Sequence, residues 1–238
     1  MRILVTNDDG IHCEHLIKLA ELAKNFGEVW VIAPSQECSA MSHRVTVDGN
    51  LILKKEQEFP VEGVHAYSLS GTPADCVKAG IRCVMPEKPD LIFSGINVGY
   101  NLGRDVIYSG TFGAAAEGVM HGVKSIAFSM AKGAGYDIPE IYLPHLTELL
   151  LKKKIGSDEV WNVNFPGVPA DEVKGILFDR KLAPLEYYFD HYEKKMINET
   201  DASIKAVFIF SETGPEDTDL KAVADGYISI SKIKNMVP

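Results

Sequence analysis

Nowhere in its 238 residues does the chain hold a run of about eighteen uncharged apolar residues, so it offers no candidate membrane-spanning helix. Cysteine is scarce as well. Cys13, Cys38, Cys76 and Cys83 form no C-x-x-C pair and no zinc-ligand spacing, which leaves reduced, mostly packed thiols as the expectation. Neither the Walker pattern nor G-x-G-x-x-G occurs, so the ATP and dinucleotide loops built on those motifs are absent. Basic residues are outnumbered, 24 Lys and Arg against 33 Asp and Glu, and a net charge of −9 argues against a nucleic-acid polymer as partner. An anionic ligand would need a cation or a local nest of donors. The apolar run at residues 3–5 is short and passes directly into Asn7, Asp8 and Asp9, unlike a secretory signal, and a cytoplasmic location is expected.

What is present, 46% apolar and 24% charged residues, suits a globular chain with a single core. Short apolar runs at 3–5, 29–33, 66–69, 91–93, 125–130, 160–165 and 175–178 read as strands. They alternate with helix-period segments at 16–23, 73–84, 111–121 and 141–154, the order expected of βαβ units and a mostly parallel sheet flanked by helices. The stretch 95–110 reads as a long loop, which in a compact domain is commonly functional. Past about Arg180 the texture changes to Tyr187, Tyr188, Phe189, Asp190, His191 and Tyr192, followed by a strand at 204–210. Such a segment predicts a C-terminal β-hairpin or arm over 181–238 used in oligomerisation, with an ordinary edge strand as the alternative.

The chemistry gathers at strand ends. Asn7-Asp8-Asp9-Gly10, the 34–43 loop, Ser94-Gly95-Ile96-Asn97 and Tyr108-Ser109-Gly110-Thr111 all fall on one edge of a parallel sheet, where ligands of such sheets bind. Two adjacent carboxylates repel each other unless a cation sits between them. Asp8, Asp9, the Ser39 hydroxyl and the Asn97 amide oxygen make a hard donor set suited to magnesium, manganese or calcium and not to zinc. Ser109, Gly110 and Thr111 precede a helix of small residues, Gly113 to Ala116, whose N-terminal N–H groups and dipole suit a phosphate. The plainer readings are helix caps at Asp8, Asp9, Ser109 and Thr111 and turns at Ser39 and Asn97. A divalent metal beside an anion nest is equipment for hydrolysing a phosphate monoester.

The segments Thr6 to Gly10, Ala33-Pro34, Leu69 to Val77, Pro89 to Gly103, Tyr108 to Thr111, Thr218-Asp219 and Gly226 to Ile230 together resemble the SurE family, the stationary-phase survival 5'-nucleotidases. The resemblance implies a Rossmann-like catalytic core (1–180) in a single SurE-like domain of residues 1–238, with a C-terminal segment exchanged between subunits of a homodimer or homotetramer. It implies cleavage of nucleoside 5'-monophosphates with one Mg2+ or Mn2+ per subunit on Asp8, Asp9, Ser39 and Asn97. The phosphate would bind at Ser109, Gly110 and Thr111, Asn101 would lie near the substrate, and Asp8 or Asp9 would serve as general base or nucleophile. Cleavage of 3'-nucleotides and short polyphosphate stays open. The chain departs from the family around 36–46, where a basic residue before the serine and a glycine after it are replaced by Cys38 and Ala40. That departure keeps a second expectation in view, a metal-assisted nucleotide sensor that does not hydrolyse its ligand.

Overall fold

The computed structural model describes residues 1–235. Its strands are β1 (Arg2–Thr6), β2 (Glu28–Pro34), β3 (Leu53–Lys55), β4 (His65–Leu69), β5 (Leu91–Val98), β6 (Lys124–Met130), β7 (Glu159–Phe165), β8 (Ile176–Leu177), β9 (Tyr188–Met196), β10 (Ala202–Phe210) and β11 (Ile228–Lys234). The α-helices are α1 (Glu14–Ala23), α2 (Pro73–Ala79), α3 (Gly110–Met120), α4 (Asp137–Lys152) and α5 (Asp219–Ala224). Nine strands form one sheet in the order β3-β4-β2-β1-β5-β6-β7-β11-β8, parallel from β4 to β7. This is the α/β architecture that the sequence predicts.

The sheet is buried on both faces, which explains why its central strands are unbroken apolar runs. Along β1, Ile3 and Val5 pack with Leu16, Leu19, Leu143 and Leu146 of α1 and α4, whereas Leu4 packs with Cys76, Val77 and Ala114 of α2 and α3. Alternate side chains of one strand thus serve opposite helix layers. The chain runs from β1 outward through β2 to β4, then returns to the other side of β1 with β5 and continues to β6 and β7. The β1/β5 boundary is therefore the switch point of the sheet, where a crevice opens at the carboxyl ends of the strands.

Two sequence expectations change. The strand expected at 91–93 continues to Val98 and takes in Ser94 to Asn97, because Asn97 and Val98 still pair with Ser129 and Met130 past an irregularity in the ladder. What remains of the long loop is short and contains a 3₁₀ turn over Gly103–Tyr108. The stretch beyond 180 is not uniform either. β9 and β10 form a separate two-stranded hairpin, while β11 re-enters the main sheet antiparallel to β7 and parallel to β8.

Helix α2 opens on a capping box. The Thr72 side chain accepts from the Asp75 N–H, and Asp75 accepts from the Thr72 N–H at 3.0 Å and from both the N–H and hydroxyl of Thr46. Burial pushes the Asp75 carboxyl up, but these hydrogen bonds outweigh it and hold the group below its ordinary value. A carboxyl lower in the folded than in the unfolded chain stabilises the fold above its unfolded value and loses that contribution as it is protonated. Melting curves across pH should therefore show parent and Asp75→Asn apart at neutral pH and converging as pH falls below about 4. A constant gap across the range would contradict the ionised hydrogen-bond acceptor.

Candidate active site at the switch point

β1 delivers Asp8 and Asp9 to the switch point, and the helix that follows β5 meets them there. The Thr111 hydroxyl donates to Asp8 Oδ1 at 2.6 Å, and the Thr111 backbone N–H adds a second hydrogen bond. Gly110 is close-packed: a β-carbon at that position would stand 3.0 Å from Asp8 Oδ2. Asp8, only 4% exposed, therefore lies on the N-terminus of α3, where the dipole favours a negative charge. Ser109 is the helix cap, its hydroxyl accepting from the Phe112 N–H at 3.0 Å. The helix cap read from the sequence is present at Ser109, and Gly110 and Thr111 of the same turn pack on Asp8.

Asp9 is half-buried and lines an open cleft of ≈ 540 Å³ with His12, Cys13, Gln36, Glu37 and Val98. Its carboxyl is pushed up to about 6 by burial, by the Asp8 charge and by Glu37. Burial likewise pushes Asp8 up, against the hydrogen bonds from Thr111. Among the described residues neither carboxylate, nor Glu37, has a Lys, Arg or His ion-pair partner. Adjacent buried charges without a counter-charge are costly, and a bound cation relieves the cost. Among the described residues no three His, Cys, Asp or Glu side chains are placed to hold a metal ion by themselves, so neutral oxygens would have to complete such a site.

Ser39 and Asn97 are the neutral oxygens at hand. The Cys38 N–H donates to the Asp8 carbonyl at 2.7 Å, which fixes the Ser39 loop beside β1, while the exposed Ser39 hydroxyl donates to Glu37 Oε1 at 2.8 Å. Asn97, half-buried next to the cleft residue Val98, donates its amide N–H to the Gly99 carbonyl at 2.9 Å, and among the described residues no hydrogen-bond donor meets its Oδ1. Asn101 is placed otherwise than expected of a substrate contact. Its amide is buried and donates to Ser129 Oγ at 2.7 Å, and its backbone is held by Asn162 and Asn164, so it braces the loop from inside. Glu37 was not singled out in the sequence, and an acidic residue in an exposed loop carries no signal of its own. All four cysteines are free thiols, and Cys13 donates to Asp9 Oδ2 at 3.8 Å.

The loop also shows what the departure at Ala40 costs. Ala40 has φ = 55°, the left-handed region where a β-carbon is disfavoured and glycine is at ease. Ala40→Gly should therefore raise stability by roughly 0.5 kcal/mol, the strain relieved exceeding the added unfolded-chain entropy. A lower denaturation midpoint in the glycine variant would refute the strain at this position.

Fold and mouth together define an α/β enzyme with an acidic crevice at the carboxyl ends of its strands, where Asp8 meets a helix N-terminus. The profile described as Survival protein SurE matches residues 3–184. The chain belongs to the SurE family. It is 39% identical over 236 residues to a 5'-nucleotidase SurE of Thermoanaerobacter sp. (strain X514), covering 98% of this chain and 92% of that protein. It is 34% identical to the 5'-nucleotidase SurE of Aeromonas hydrophila, with 98% and 92% covered. The crystal structure of the SurE protein from Aquifex aeolicus superposes with a TM-score of 0.85 at 31% identity, covering 100% of this chain and 95% of that one.

Proposed function

We propose that this chain is a divalent-metal-dependent 5'-nucleotidase, cleaving nucleoside 5'-monophosphates to nucleoside and phosphate. The observation that carries the reading is the uncompensated pair Asp8 and Asp9 set against the first turn of α3. Relatives named 5'-nucleotidase SurE, similar over almost the whole chain, support the same conclusion. One Mg2+ or Mn2+ would be held by Asp8, Asp9, Ser39 and Asn97, oxygen donors that fit a hard cation and leave room for substrate. When bound, the ion supplies positive charge to a phosphoryl oxygen.

The phosphate lies at Ser109, Gly110 and Thr111, where the helix N-terminus favours the charge that spreads over the equatorial oxygens in flight. Thr111 keeps Asp8 in a single orientation through its hydroxyl. Asp9, open to the cleft, takes the proton from the attacking water as the water oxygen bonds to phosphorus and the P–O5' bond breaks, the leaving nucleoside oxygen taking up a proton. The nucleoside extends into the cleft walled by His12, Gln36 and Glu37. An open mouth that needs only a terminal phosphate also admits 3'-nucleotides and short polyphosphate as slower substrates.

The same reading divides the chain into a catalytic part, 1–180, and an oligomerisation part, 181–238, and makes the protein a cytoplasmic homodimer or homotetramer. Exposed Ile204, Phe208, Ile209 and Phe210 on β10 support an apolar contact between subunits. No helix among the described residues is long and apolar enough to cross a membrane. The test is phosphate release from a panel of nucleoside monophosphates with Mn2+, Mg2+ or chelator. Metal-dependent release supports the enzyme; tight binding without release over hours supports the sensor, the reading favoured by a Ser39 hydroxyl turned toward Glu37.

A further inference from the structure

We propose that Asp75 and Glu117 are positioning residues that hold the loop carrying Ser39 in register with Asp8 and Asp9. The inference rests on the reading of Ser39 as a metal ligand. Residues 39–46 form no helix or strand and are largely exposed or half-buried, so apolar burial does little to fix them. Polar ties take its place. The Ser42 N–H donates to the Tyr108 carbonyl at 3.0 Å, His43 Nε2 meets Glu117 Oε2 at 2.8 Å, and the Thr72 hydroxyl donates to the Arg44 carbonyl at 2.5 Å. Thr46 gives both its N–H and its hydroxyl to Asp75, at 2.9 and 2.7 Å.

Neither carboxylate lines the cleft beside Asp9, and both are 4% exposed. A buried carboxylate needs partners, and these two find them in the same short loop, one from the start of α2 and the other from α3. Glu117 has a second partner, His121 Nε2 at 3.0 Å, which steadies the carboxylate on its own helix. The loop lies directly on α3 as well: a β-carbon at Gly113 would stand 2.5 Å from the Ser42 carbonyl oxygen. One helix therefore sets both sides of the site. Its first turn meets Asp8 through Gly110 and Thr111, and further along Gly113 and Glu117 meet the segment that presents Ser39.

The test is calorimetric titration with Mn2+ alone, on the full chain, of Ser39→Ala, Asp75→Asn, Glu117→Gln, His43→Gln and the double variants made with Ser39→Ala. His43→Gln cuts the tie from the loop side and leaves Glu117 its bond to His121, so it stays informative if Glu117→Gln folds poorly. Each single variant is expected to weaken Mn2+ binding about tenfold, as loss of an outer support does. In the Ser39→Ala background none of Asp75→Asn, Glu117→Gln and His43→Gln should weaken it further, because their effect passes through Ser39. A residue with a merely structural role would not show that non-additivity. Parent-like Mn2+ affinity in Asp75→Asn, or in both Glu117→Gln and His43→Gln, or effects that multiply in the double variants, overturns the inference while leaving the Ser39 assignment standing. Parent-like affinity in Ser39→Ala overturns that assignment, and the positioning inference with it.

Discussion

Asp8→Asn and Asp9→Asn are each expected to lower phosphate release by on the order of 10³-fold with the fold intact. Asn keeps the shape of Asp8 and still accepts the Thr111 hydroxyl, so the contact between β1 and α3 survives; what is removed is the charge that draws a cation to the mouth. The loss should appear in turnover, since the proposed function puts both carboxylates at the reacting phosphate rather than at the nucleoside. Metal-free protein should respond in the opposite sense. Without a cation, two neighbouring carboxylates oppose each other in a buried place, and neutralising one should leave the melting temperature unchanged or raise it. Full activity in both variants would end the metal-site reading. Activity lost together with a collapsed near-ultraviolet spectrum would show instead that Asp8 is an architectural residue.

Asp219→Ala should cost about 4 kcal/mol of stability, a large part of the roughly 5–15 kcal/mol a domain of this kind possesses. Asp219 is fully buried at the start of α5 and accepts from the N–H groups of Gly103 at 2.9 Å, Ala183 at 2.8 Å and Leu220 at 2.8 Å. Truncation strands donors from two distant segments at once, the turn after β5 and the root of the β9–β10 hairpin. The turn cannot move away to find water. Gly103 sits against the Leu185 carbonyl, 2.3 Å from where a β-carbon would be, and the Arg104 N–H donates to that same carbonyl at 3.0 Å. Urea unfolding read at constant slope would give the number, and Asp219→Asn should fall between parent and alanine variant. A change under about 1 kcal/mol would mean that the three N–H groups find other acceptors.

The central strands were legible because a strand covered on both faces has no polar side: the runs in β1, β2 and the first half of β5 announce themselves. The second half of β5 did not, since Gly95 and Asn97 are turn formers by type and only pairing with β6 keeps them extended. β3 was invisible for another reason. It is three exposed residues whose strand character comes from β4 alone. At the site, Asp8, Asp9 and Ser109 to Thr111 could be read because strand ends and a small-residue helix start have local signatures. Asn101 looked like its neighbours, and only the position of Ser129 on β6 shows that its amide turns inward. The helix start at Pro73 could be read, but the capping box that Thr72 and Asp75 form there was not read from the sequence. Glu117 carried none, because its meaning depends on His43, which lies on another part of the chain.

The position of β11 has a consequence for synthesis. Every segment that builds the mouth, from β1 to the first turns of α3, has left the ribosome well before β11 is made, yet β7 has no neighbour on its outer side until β11 arrives. For that interval β7, with Val160, Trp161 and Val163, is an unpaired sheet edge, a template for pairing with another chain. A pause in synthesis after β7 and before β11 would prolong that exposure.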